Sequence, residues 1–160
     1  MRVGMRGVVS LAAELLLCAE ACGDRPHWEG DPDLFGVDLV VAPEAASCAR
    51  ASDARSHVRR ILDTSSRYFG HDPTELEGLR IVLVGSRFVC PGASSELLLG
   101  CYFADDNTIA VSTSGVGCLE SSYLPHELLH YLIGDPDHTD PRWSTLVPLW
   151  QTLQTGVNCN

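Results

Sequence analysis

Three residues in the C-terminal third of the chain have the types and spacing of a metal-dependent hydrolytic site: His126, Glu127 and His130. On an α-helix, side chains four residues apart project from one face, so both imidazoles can bind one Zn²⁺. Glu127 projects about 100° further round the helix, where its carboxylate can accept a proton from a water molecule at the metal. The spacing therefore predicts a catalytic zinc site with Glu127 as general base.

A catalytic zinc ion bound by His126 and His130 needs a third protein ligand, because catalytic zinc takes three protein ligands and keeps its fourth position open. His138 is the nearest donor and follows Gly134, the residue that ends the predicted helix. We expect the chain to turn after Gly134 and bring His138 to the metal; the alternative is that His138 is an ordinary polar loop residue. Asp135 and Asp137 are substitute ligands, and Asp140 is expected to accept an imidazole N–H.

These residues resemble the zincin metallopeptidases, whose active-site helix carries His-Glu-x-x-His. The resemblance implies a peptidase acting on peptides or proteins, with His126 and His130 as zinc ligands and Glu127 as base. His138 resembles the third ligand of the metzincin branch, His-Glu-x-x-His-x-x-Gly-x-x-His. Here the Gly is one residue later and the His two residues later, and no Met follows residue 5, so the Met-turn is absent. The branch stays open.

The helix that carries the motif has signals at both ends. Ser121 and Ser122 offer an N-cap, Pro125 is tolerated in a first turn, and Gly134 is a typical helix terminator. Apolar residues cover most of the helix circumference, which predicts burial inside the domain. They are Leu124, Leu128, Leu129, Leu132 and Ile133.

The remaining elements predict an α+β fold. Residues 52–69 have the apolar spacing of an amphipathic helix, residues 80–85 form the clearest buried strand, and residues 101–103 and 108–112 predict a hairpin. An apolar stretch after residue 145 predicts a short C-terminal helical segment. The order resembles the zincin arrangement, a small mixed sheet packed on a backing helix and an active-site helix. We expect residues 109–112 to form the edge strand of the cleft; an ordinary core hairpin is the alternative.

The N-terminus resembles an export signal. Arg2 and Arg6 precede an apolar stretch from residue 7 to residue 17, and residues 19–21 match a small-x-small cleavage pattern. We therefore predict a secreted or periplasmic protein whose mature chain starts near Cys22. Lipid attachment through Cys22 at the bacterial cell envelope is the competing interpretation, and a buried N-terminal helix is a third.

Three segments follow from these signals. Residues 1–21 are predicted to be a signal peptide, alternatively a lipoprotein signal, and residues 22–50 a tether with a short strand at residues 37–41. Residues 51–160 are predicted to form the zincin-like metallohydrolase domain, which has the size of one ordinary domain.

Charge and cysteine content narrow the class of partner. The chain has 21 acidic residues against 11 basic ones, a net charge of −10, so nucleic acid is not an expected partner. Six of its seven cysteines follow the predicted cleavage site and suffice for three disulfides in an oxidising compartment. Cys101 with Cys118 is the pairing we expect, because it would brace the strand leading to the motif helix. Nothing in the sequence predicts the oligomeric state.

Other candidate residues carry weaker signals. His27, His57 and His71 are isolated and are expected to be surface or capping residues. Tyr131 is expected to pack, with stabilisation of an oxyanion as the alternative. The alternative function is an exported, disulfide-stabilised binding or structural protein whose zinc site is vestigial or structural. A fourth protein ligand, such as Asp135, would mark that alternative.

Overall fold

A computed structural model of the protein describes residues 27–45, 51–90 and 96–157. These residues form a five-stranded mixed sheet, a two-stranded hairpin and three α-helices, which confirms the α+β class. The strands are β1 (His27–Asp31), β2 (Val37–Val41), β3 (Arg80–Val84), β4 (Phe88–Val89), β5 (Leu97–Leu98), β6 (Gly100–Phe103) and β7 (Thr108–Ser112). The helices are α1 (Ala51–Tyr68), α2 (Leu124–Ile133) and α3 (Leu146–Gln154).

The sheet has a parallel centre and antiparallel edges, in the order β1-β2-β3-β7-β6. Leu39 of β2 is aligned with Ile81 of β3, which is aligned with Ile109 of β7, and all three side chains are fully buried. Continuous runs of Val, Ile and Leu are typical of parallel strands that are covered on both faces. The sheet therefore gives the molecule a rigid centre.

The hairpin of β6 and β7 corrects one prediction. Asn107 adopts the left-handed conformation and turns the chain, so that β6 pairs antiparallel with β7, with Cys101 opposite Ala110. Strand β7 is consequently an interior strand, buried at all five positions, and the expectation that residues 109–112 form the edge of the cleft is wrong. The edge strand is β6.

The helices pack as the apolar spacing predicts. Helix α1 buries Val58, Ile61 and Leu62 completely, and α2 packs between α1 and strand β6. Helix α3 buries Leu149 and Leu153 against the rest of the domain. None of the helices in the described ranges is both long and apolar enough to cross a bilayer.

One further expectation is corrected, and it concerns a disulfide. Strands β1 and β2, which precede residue 51, belong to the main sheet. Cys101 is bonded to Cys90, not to Cys118, and this disulfide ties the β4–β5 hairpin to strand β6. Cys118 is itself disulfide-bonded. The predicted signal peptide at residues 1–21 and the anchor at Cys22 lie outside the described residues.

Candidate metal centre

Helix α2 is the platform of the site, and its ends are defined locally. The hydroxyl of Ser122 accepts a hydrogen bond from the N–H of Leu124 at 3.2 Å, and Pro125 lies in the first turn. Gly134 ends the helix in the left-handed conformation with φ 64°, and its N–H donates to the carbonyl of His130. Because Leu128 and its neighbours are fully buried against the core, the helix cannot rotate, and its histidine face is fixed toward the cleft.

The structure brings the three predicted histidines together. Ligand nitrogens of His126, His130 and His138 all lie within 4.8 Å of one another, and Nε2 of His138 is 3.2 Å from Nε2 of His126. His138 has a φ of 58°, a left-handed conformation that few residues other than glycine adopt. This turn directs the ring of His138 back toward α2. Three convergent imidazoles are able to hold one metal ion.

The electrostatics of the site favour neutral imidazoles, the form that binds metals. Burial, together with the neighbouring His130 and His138, lowers the pKa of His126 to about 4. Burial also lowers the pKa of His130. The Nδ1–H of His130 donates to the main-chain carbonyl of Asp135 at 2.8 Å, which leaves Nε2 with a free lone pair. These electrostatics therefore favour the protonation state that metal binding requires, even without a metal ion.

The carboxylate of Asp135 organises the loop that carries His138. It accepts hydrogen bonds from the N–H of Asp140 at 2.6 Å, the N–H of Asp137 at 3.1 Å and the hydroxyl of Thr139 at 3.3 Å. It also accepts the indole N–H of Trp143 at 2.9 Å. These donors, the N–H of Asp140 first, lower the pKa of Asp135 to about 2.

The metal-binding group contains His138 and none of the acidic residues of this loop that were named as its alternatives. Asp135 and Asp137 are not part of the metal-binding group, since the Asp135 carboxylate is occupied by donors of its own loop. Asp140 does not accept an imidazole N–H. Its carboxylate forms two hydrogen bonds with the guanidinium of Arg142, at 2.9 and 2.8 Å, and the imidazole N–H of His130 is accepted by the Asp135 main chain.

Trp143 is a site residue that the sequence did not reveal. Its ring centroid lies 5.0 Å from that of His126, 4.6 Å from that of His130 and 4.3 Å from that of His138. The three histidines line the cleft described below and Trp143 does not, so the indole packs on their far side. It restricts all three rings, and its bond to Asp135 fixes the indole in turn.

Glu127 is buried beside the histidines, with only 5% of its surface exposed. Burial raises the pKa of its carboxyl to about 8, and a hydrogen bond from the main-chain N–H of Tyr102 acts in the opposite direction. Gly100 makes this position available, since a Cβ atom there would lie 2.5 Å from Oε1 of Glu127 and 2.9 Å from its Cγ. Sequence reasoning also missed Gly100, because its partner is 27 positions away and no local signal marks the contact.

An open cleft runs across the site. A cavity of about 680 Å³ is lined by all three histidines, Glu127 and Tyr102, and a second cavity of about 440 Å³ adjoins it at Glu127. The two cavities share Leu98, Gly100, His126 and Glu127. The candidate ligands and the carboxylate therefore lie where two halves of one cleft meet.

The remaining candidates lie elsewhere. Tyr131 donates its hydroxyl proton to the main-chain carbonyl of Glu75 at 3.0 Å, which agrees with a packing role and not with an oxyanion role. His57 contacts the buried carboxylate of Glu120 at 2.6 Å, and His71 contacts Glu75 at 2.9 Å. Neither histidine is part of the metal-binding group.

Comparison of the chain with protein-family models, curated proteins and solved structures found no significant match. The site is consequently defined by its own geometry: a group of three histidines able to hold a metal ion, with a buried carboxylate beside it in an open cleft.

Proposed function

We propose that the protein is an exported zinc-dependent metallopeptidase. The observation that carries the proposal is the position of the buried Glu127 carboxylate beside the His126, His130 and His138 group, in a cleft formed by two adjoining cavities. An extended peptide can cross such a cleft. The disulfide between Cys90 and Cys101 agrees with an oxidising compartment, as export requires.

Zinc is the metal that the donor set favours. Three neutral imidazoles without a carboxylate or thiolate form a common catalytic zinc site, whereas structural sites have four protein ligands. The group in the described residues has three ligands, and the nearest carboxylate expected to complete a fourth, Asp135, is occupied by its own loop. This supports a catalytic site over a structural one. When bound, zinc supplies Lewis-acid chemistry, polarising a carbonyl and lowering the pKa of a water ligand.

Glu127 would act as the general base and then as the general acid. Its carboxylate would take a proton from the attacking water and return it to the nitrogen of the leaving amine. Burial favours the protonated state that must form during the reaction, and a cation nearby favours the carboxylate at the start. The N–H of Tyr102 holds the carboxylate in one orientation, and Gly100 gives it room.

The edge strand β6 lines this cleft and would help to bind a peptide substrate. In the described part of the chain, β6 pairs with β7 on one side and with no strand on the other. A strand edge can bind extended peptides through those of its main-chain groups that have no partner, and the N–H of Tyr102, which Glu127 accepts, is not one of them. Gly100 and Tyr102 of this strand line the larger cavity.

The test is the Glu127→Gln variant, assayed for bound zinc and for cleavage of an unbiased peptide library. We expect one zinc per chain in both proteins and a loss of hydrolysis of about 100-fold or more in the variant. Glu29→Gln, which removes the same charge from the exposed residue of the distant strand β1, is the control and should retain activity. A zinc-loaded wild-type protein that cleaves no peptide would favour the structural-site alternative.

A further inference from the structure

The smaller half of the cleft has a distinctive lining. Arg87 lies at its wall, and the remaining surface is mainly apolar or aromatic, from Leu97, Leu98, Leu99 and Tyr123. Among the described residues that line either cavity, Arg87 is the only permanent cation. A guanidinium beside apolar walls is a suitable environment for an anionic group attached to an aliphatic chain.

Arg87 has no ion-pair or hydrogen-bond partner within the described ranges. Arg55 is paired with Asp31 and Asp33, Arg67 with Asp63, and Arg142 with Asp140, whereas Arg59 and Arg80, like Arg87, form no ion pair with a described residue. Arg87 differs from Arg59 and Arg80 in its position, because it lines the cavity that Glu127 also lines. Among the described residues, no carboxylate competes with an external anion for the Arg87 guanidinium.

The position of Arg87 relative to Glu127 is fixed by the fold. Arg87 directly precedes β4, β4 pairs with β5, and the bond between Cys90 and Cys101 ties this hairpin to β6. Glu127 lines the same cavity, and in the described part of the chain it forms no ion pair with Arg87. A ligand can therefore reach Arg87 while another part of it lies beside Glu127.

We propose that the smaller cavity is a subsite for a carboxylate of the substrate, contributed by an acidic side chain near the scissile bond or by a free C-terminus. The planar fork of a guanidinium matches the two oxygens of a carboxylate, and the leucine and tyrosine walls contact the carbon atoms that carry it. This inference rests on the proposed peptidase function and names its substrate class. Because Arg87 is the one arginine or lysine among the described residues that line either cavity, we expect it to determine this preference.

The experiment compares zinc-loaded wild-type protein with Arg87→Gln, Arg87→Lys and Arg87→Glu. The substrates are fluorogenic peptide pairs identical except for Glu against Gln at one position, scanned along the peptide, and a pair with a free against an amidated C-terminus. We expect wild type to favour one carboxylate by about fivefold in kcat/KM, and less at high ionic strength. Arg87→Gln should abolish the ratio, Arg87→Lys should retain part of it, and Arg87→Glu should reverse it, so that the Gln or amidated peptide is preferred.

Arg59→Gln is the matched control, since it removes an exposed arginine of α1 that lines neither cavity. Its substrate ratio should equal that of wild type. Hydrolysis without a carboxylate preference, or with a preference that persists in Arg87→Gln, would overturn the subsite and leave the peptidase intact. The scanned position of the preferred carboxylate distinguishes a side chain from a terminus.

Absence of hydrolysis would refute the peptidase proposal but not the subsite proposal. The subsite is then tested by measuring peptide binding. The same peptide pairs are titrated into zinc-loaded Glu127→Gln protein, with and without Arg87→Gln. About fivefold tighter binding of the carboxylate peptide, lost with Arg87→Gln, supports the subsite. Equal binding of both peptides to both proteins overturns it.

Discussion

The main chain of Gly100 leaves the space that the Glu127 carboxylate fills: a Cβ atom at residue 100 would lie 2.5 Å from Oε1 of Glu127 and 2.9 Å from Cβ of Tyr123. The edge strand β6 thus determines where the Glu127 carboxylate of helix α2 can lie. A side chain on one element is positioned by the absence of a side chain on another.

Gly100→Ala should therefore displace Glu127 without removing a metal ligand. We expect kcat/KM to fall by about tenfold or more, with one zinc still bound, and the free energy of unfolding to fall by about 1–3 kcal/mol through overpacking. Zinc content, peptide hydrolysis and urea denaturation measure the three effects. Full activity in Gly100→Ala would show that Glu127 does not need its observed position.

A double-mutant cycle separates this contact from a general strain in β6. In a Glu127→Ala background the added methyl group at residue 100 meets no carboxylate, so Gly100→Ala should cost less stability there, by about 0.5 kcal/mol or more. If Gly100→Ala lowers the free energy of unfolding equally in both backgrounds, the strain arises from the contact with Tyr123 or within β6 itself, and not from the contact with Glu127.

Trp143 should control metal affinity although it donates no ligand. Its indole contacts all three histidines, so Trp143→Ala should weaken zinc binding by about 10–100-fold, and Trp143→Phe, which keeps a ring but loses the bond to Asp135, by less. Competition with a chromogenic chelator gives the zinc affinity. Trp28→Phe, on the far edge strand β1, is the control and should bind zinc as wild type does.

The ion pair between Asp31 and Arg55 should make part of the stability depend on pH. The hydrogen bond from Arg55 lowers the pKa of Asp31 below its ordinary value of 3.8. A carboxyl with a lowered folded-state pKa stabilises the fold above its unfolded pKa, and this contribution is lost as pH falls from about 4 through the folded pKa. Asp31→Asn should lower Tm by roughly 2–4 °C at pH 7, and the difference from wild type should vanish in strong acid.

Asp63→Asn is the control for this pair, because Asp63 and Arg67 form an exposed i, i+4 pair on α1. Exposed pairs of this kind contribute little, so its Tm should stay close to that of wild type at every pH. Scanning calorimetry from pH 2 to pH 7 provides both measurements. A constant Tm difference between Asp31→Asn and wild type across this range would show that the lowered pKa of Asp31 does not make stability depend on pH.

Local sequence signals were sufficient for the three helices, for strands β2, β3, β6 and β7, and for the three histidines, but not for the strands β1, β4 and β5. The motif of α2 is contained within five residues, Gly134 marks the end of the helix, and the buried strand β3 is a continuous apolar run. Such features depend on neighbours in sequence, which a single chain displays. His138 was reached by the chemistry of zinc, since a two-histidine site needs a third ligand.

Features that depend on distant residues could not be predicted in this way. The β6–β7 hairpin was predicted, but the order of its two strands in the sheet was not. The hydrophobic periodicity of a strand indicates how buried the strand is and not which strands lie beside it. The same limit explains the wrong partner for Cys101 and the unforeseen contacts of Gly100 and Trp143. Asp135 was named as a substitute ligand in case His138 did not bind the metal, and its carboxylate instead accepts hydrogen bonds from four donors of its own loop.

His138 offers a way to separate the shape of this loop from metal binding. Asparagine adopts the left-handed conformation more readily than other residues with a side chain, so His138→Asn should preserve the turn at φ 58° while removing the imidazole. We expect the metal-free variant to match the Tm of metal-free wild type within about 2 °C and to bind zinc too weakly for one ion per chain. His71→Asn, which lies outside the metal-binding group, should keep stoichiometric zinc. If His138 lay near α2 without binding the metal, removing its imidazole would not change zinc binding. Stoichiometric zinc in His138→Asn would therefore exclude His138 as a ligand.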